Sequence, residues 1–116
     1  MAIERKIINC GENGTLARHV MPLIATGMSG EGIYIITGEG RLPIRPHQEI
    51  IDIINIEAAK KRLGITSLFR CLSIAVPSNK NYHMPITIYV GNRAVKELIG
   101  EINNGKYTHL VGVLPV

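Results

Sequence analysis

Apolar residues recur along the chain in two periods, and the changes between them divide it into eight elements. Ile3 to Cys10 predicts a first strand centred on Ile7 and Ile8, broken by Gly11-Glu12-Asn13-Gly14. Leu16, Val20, Leu23 and Ile24 fall at helical spacing. Thr15 can cap that helix through its hydroxyl, and Gly27 can close it. Pro22 removes a backbone donor at a cost of about 3 kcal/mol, so a kink there or an end near Met21 is expected. Ser29 to Gly32 predicts a turn and Ile33 to Thr37 a second strand.

A loop follows from Gly38 to Arg45, with Pro43 and Pro46 bracketing Ile44. The second helix is expected from about His47 to Leu63, with Glu49 and Asp52 early, Lys60, Lys61 and Arg62 late, and Gly64 beyond. Ile50 to Ile56 is β-branched enough to argue for a strand, but its polar positions fall every third residue, which favours the helix. Ser67 to Val76 and Met84 to Val90 predict a hairpin with a long polar loop. In the second of these strands Met84, Ile86, Ile88 and Val90 point one way, Thr87 and Tyr89 the other. Asn92 is expected to cap a third helix with Val95, Leu98, Ile99 and Ile102 inside. Tyr107 to Leu114 is expected to form a final strand.

The order β-α-β-α-β-β-α-β predicts an α+β fold: a single domain over residues 1–116, built as a two-layer α/β sandwich with a mixed sheet of four to five strands. From the second strand onward it reads β-α-β-β-α-β, the ferredoxin-like connectivity. Right-handed crossovers would then place the second and third helices on the same face of the sheet.

Composition adds limits to this picture. A chain of 116 residues has room for one hydrophobic core. Nineteen isoleucines, no Trp and one Phe mean that core is packed on branched aliphatics. The net charge of +4 and a pI near 9.3 make a mildly basic surface, which attracts phosphates. No segment approaches the roughly 18 apolar residues of a membrane span, and the N-terminus lacks the pattern of a signal peptide. Small secreted domains use more cysteines than Cys10 and Cys71. The cytoplasm is therefore the expected compartment, with no membrane partner.

Two loops could carry chemistry. Around Gly11, Asn13, Gly14 and Thr15 the chain runs from strand through glycine-rich turn to helix start, with Arg18 one turn on. Exposed amides and the positive end of the helix dipole make such a place receptive to anions. The loop holding Arg41, Arg45 and His47 also leads from a strand into a helix, and its arginines suit a phosphate or carboxylate. If the strands before them are parallel, both loops open at one sheet edge. The glycine spacing matches neither the P-loop nor the dinucleotide fingerprint, and a plain tight turn explains the first loop as simply.

Other chemistries find less support. Cys10 precedes a helix start, but seven residues separate it from Arg18 where cysteine phosphatases have five. His19, His47, His83 and His109 show no metal-ligand spacing, and Glu49 and Asp52 read as acids stabilising a helix start. Tyr34, Phe69, Tyr89 and Tyr107 lie outside the glycine- and basic-rich runs of RNA-binding sheets. No catalytic residue, metal or cofactor is expected. The first functional expectation is a non-enzymatic binding domain for an anionic ligand, either a phosphate-bearing small molecule or a nucleic-acid backbone. The second is a protein-interaction or self-associating subunit, with a protein partner or a homo-oligomer, using an apolar sheet face. An enzyme ranks third.

Overall fold

The structure, a computed structural model, describes residues 3–110. Four strands form one open mixed sheet: β1 (Arg5–Asn9), β2 (Gly32–Thr37), β3 (Ser73–Pro77) and β4 (Ile86–Val90), in the order β1-β2-β4-β3. β1 runs parallel to β2, with Lys6 opposite Tyr34 and Ile8 opposite Ile36. β4 is antiparallel to both β2 and β3. Three α-helices pack against it: α1 (Gly14–Ala25), α2 (Gln48–Arg62) and α3 (Asn92–Asn103). None is long and apolar enough to cross a membrane.

Strand alternation sorts the sheet into two packed faces. On one, Tyr34, Ile36, Ala75, Ile86 and Ile88 meet Met21 and Ile24 of α1 and Ile51 and Ile54 of α2. On the other, Ile33, Ile74, Val76 and Tyr89 meet Ala94 and Leu98 of α3, together with Tyr107 and Leu110. Helices therefore cover both faces, and the expected two-layer sandwich is corrected to three layers. The physical reason lies in the connections. The β1-α1-β2 and β2-α2-β3 crossovers both move the same way across the sheet, so handedness puts α1 and α2 together. α3 joins no second parallel strand among the described residues. It takes the face left bare.

The ferredoxin-like order needs a fourth strand at the free side of β2, and β1 stands there instead. The strand expected from Tyr107 to Leu114 is a 3-10 turn over Thr108–Leu110, and 111–114 lie outside the described residues. Other boundaries shift for local reasons. Residues 67–72 pair with no strand: Ser67 Oγ donates to Glu57 O at 3.2 Å, and Arg70 N–H donates to Thr26 O at 2.8 Å. α1 passes through Pro22, held by Met21 (0% exposed) and Ile24 on the core side. Asn13, not Thr15, caps α1, its Oδ1 accepting from Leu16 N–H at 2.9 Å. Gly91 rather than Asn92 sits at the cap of α3. Ile50 to Ile56 is helical, and α2 lies within one residue of its expected span at each end.

Candidate anion-binding cleft

Because β1 and β2 are parallel neighbours, the loops that follow them leave the same end of the sheet. They are also packed on each other. Glu39 N–H donates to Gly11 O at 2.7 Å, with Gly11 in the left-handed region at φ 60°. A β-carbon on Gly38 would lie 2.9 Å from that same Gly11 oxygen and 2.7 Å from Leu42 Cδ2, so only glycine permits the approach. α1 and α2 lie side by side on one face, both starting at this end. Their N-terminal dipoles therefore add over the same patch of solvent.

Between them lies a cleft of about 270 Å3, lined by Gly14 and Arg18 from α1, Arg45 and His47 from the second loop, and Gln48 and Glu49 from the first turn of α2. Of the residues singled out in the sequence, Gly14, Arg18, Arg45 and His47 are brought together here. Gly11, Asn13, Thr15 and Arg41 do not line it. Gly11 supports the loop contact just described, and the Asn13 side chain is occupied as a cap. Thr15 and Arg41 are exposed beside it.

Arg18 and Arg45 are exposed, and the ion pairs of the described residues engage neither. His47 is buried: Nε2 donates to Leu42 O at 3.0 Å, and its N–H donates to Tyr82 O at 3.0 Å. It thus holds the loop in shape and turns only Nδ1 to other partners. The free amides at the start of α2 complete a surface rich in donors. Glu49 is the one acid in the lining and opposes an anion.

No protein family, curated protein or solved structure matches the chain at a significant level. Whatever the cleft does must be argued from its own residues.

Other candidates resolve differently. Burial pushes the Cys10 thiol up, away from a reactive thiolate. No group of three or more His, Cys, Asp and Glu among the described residues is placed to hold a metal. Tyr34, Phe69, Tyr89 and Tyr107 are all buried, so their rings are unavailable for base stacking. His19 Nδ1 is spent on Thr15 O at 2.7 Å.

A buried polar cluster escaped the sequence. Tyr89 (0% exposed) donates its hydroxyl to Glu101 of α3 and lies 3.2 Å from the Tyr107 hydroxyl. Arg5 of β1 donates to Glu97 and Glu101, the latter at 2.8 Å. Burial pushes the Tyr89 phenol well up, reinforced by its hydrogen bond to Glu101. Burial alone would raise Glu101, but hydrogen bonds from Tyr89 and Arg5, with the charges of Lys106 and Arg5, outweigh it and hold the carboxyl below its ordinary value. Every polar atom named in this cluster has a protein partner, which marks it as a structural clasp for α3. Glu97 and Glu101, one helical turn apart, were its only trace in the sequence.

Proposed function

We propose that the protein binds a phosphate-bearing small molecule in the cleft between the starts of α1 and α2. The observation that carries this reading is the convergence of two strand-to-helix loops, with Arg18 and Arg45 outside any ion pair of the described residues. The cleft volume lies just under the range of about 300–1,000 Å3 usual for drug-sized ligands. That suits a phosphoryl group with a small organic part. Amides at the start of α2 would take phosphate oxygens, Arg18 and Arg45 would supply charge, and His47 would hold the loop. The buried aromatics argue against base stacking and so favour a small molecule over a nucleic-acid strand. On composition, we place this binding activity in the cytoplasm.

Titration with pyrophosphate, followed by backbone amide shifts, tests the reading. Shifts are expected at Gly14, Arg18, Arg45 and Gln48. Replacing Arg18 and Arg45 together by Ala removes two charge-assisted contacts and is expected to weaken binding by about 100-fold or more. Unmoved amides at millimolar pyrophosphate would end the proposal, as would equal binding by the double variant.

Self-association is the second reading, and it now rests on β1. This strand lies at the edge of the sheet, and Ile7 is 73% exposed. The apolar sheet face opposite α1 and α2 is covered by α3. Arg5 and Lys6 on the same strand discourage edge pairing.

A further inference from the structure

A second hollow, larger than the cleft, lies elsewhere, as a groove of about 560 Å3 between α2 and the outer edge of β3. That volume falls inside the range of small-molecule sites, about 300–1,000 Å3. Its accessible apolar lining is on α2, where Ile56 is 59% exposed and Ala59 half-buried, with Ile51, Ile74 and Leu110 buried beneath.

An open strand edge ordinarily invites another strand. Here the edge is already occupied. Asn55 Nδ2 donates to Ala75 O at 3.0 Å while its Oδ1 accepts from Ala75 N–H at 2.8 Å, so one side-chain amide imitates a neighbouring strand. His109 Nε2 donates to Pro77 O at 3.2 Å, and Pro77 has no N–H to offer. A peptide added to β3 would have to break these bonds. The groove therefore presents shape and side chains rather than free main chain.

Its charges are unevenly placed. Because α2 runs antiparallel to β3, the groove has Arg62 towards one end, and Asp52 with the Lys80 loop towards the other. Ten residues of helix separate Asp52 from Arg62, about 15 Å. Neither Arg62 nor Lys80 takes part in the ion pairs of the described residues. Asp52, the single acid of the lining, shares its end of the groove with Lys80, whereas no acid of the lining accompanies Arg62. The Lys80 end is also tied down by main-chain hydrogen bonds. Tyr82 takes a left-handed φ of 61°, held by its N–H on Asn79 O at 3.1 Å and by His47 N–H on its own carbonyl at 3.0 Å. Strain of this kind persists only where the surroundings over-determine it.

We propose that this groove binds a small amphipathic anion, an aliphatic or aromatic carboxylate. Its apolar body lies along Ile56 and Ala59 of α2, and its acid group is gripped by the Arg62 guanidinium, whose fork matches a carboxylate. The site is separate from the cleft at the starts of α1 and α2.

Octanoate titrated into the full chain, followed by calorimetry and amide shifts, is the test. Saturable one-to-one binding is expected, with shifts at Ala59, Arg62 and Ile74. Octanol and octylamine, of equal chain length, should each bind about tenfold more weakly, and Arg62→Gln should lose about the same factor. Ala59→Trp fills the groove and should abolish binding. Should that variant fail to fold by circular dichroism, Ile56→Glu, at a position 59% exposed, makes the same demand on the apolar body. Pyrophosphate binding should be unchanged in all these variants. No octanoate binding at millimolar concentration, equal affinity for octanol, or an unaffected Arg62→Gln would each overturn the assignment.

Discussion

Asn55 shows how much a single side chain contributes to this sheet. Its amide meets both the donor and the acceptor of Ala75, in a strand whose five residues are all buried. A buried main-chain group left unpaired costs about 1–3 kcal/mol. Asn55→Ala is therefore expected to lower stability by at least about 1–3 kcal/mol, read from the urea midpoint at constant slope. A change below about 0.5 kcal/mol would mean that water replaces the amide without penalty. Nothing in the sequence around Asn55 marks this role, because its partner lies 20 residues away. Asn13 contrasts with it. Its cap on Leu16 is local, and the residue type in a turn before a helix is a recognisable signal, one that Thr15 two residues on also carries.

At the scale of elements, α3 is fastened by the Arg5, Tyr89, Glu101 cluster, and the two pKa directions give its stability a defined pH window. Glu101 is held below its ordinary 4.5, so it stabilises the fold above that value and the contribution is lost as the pH falls through its folded pKa. Tyr89 is raised above its ordinary 10.0, so its contribution is complete below that value and is lost as the pH climbs beyond it. Urea midpoints measured against pH should show a plateau between these limits. Glu101→Gln should flatten the acid limb and Tyr89→Phe the alkaline limb, each leaving the other in place. The kind and place of α1, α2, β1, β2 and β4 were legible from periodicity and end signals. What failed were inferences needing a partner. Residues 67–72 have strand composition but bond to α1 and α2, and α3 chose its face by what α1 and α2 had already covered. The converging loops were foreseeable because parallel strands force it. The groove at β3 was not, since its walls come from α2, the β3–β4 loop and the turn at Thr108–Leu110, which no local pattern joins.

For the molecule as a whole, the two outer strands of the sheet are treated oppositely. β3 is closed by Asn55, His109 and a proline, while β1 relies on Arg5 and Lys6 for protection. Should copies associate, they would meet along β1. Sedimentation velocity across a hundredfold concentration range should then detect association that Ile7→Lys removes, and association untouched by that change would direct attention away from this strand.

The clasp on Arg5 ties the earliest described strand to the last described helix, although β1 itself touches the sheet through β2 alone. When β1 detaches, Glu101 loses its guanidinium partner in the same event, so β1 and α3 open as one cooperative unit. Native-state hydrogen exchange should record this as a shared opening energy for the amides of β1 and α3, lower than that of β4 at the centre. Cutting the tie with Arg5→Ala should split the common value in two.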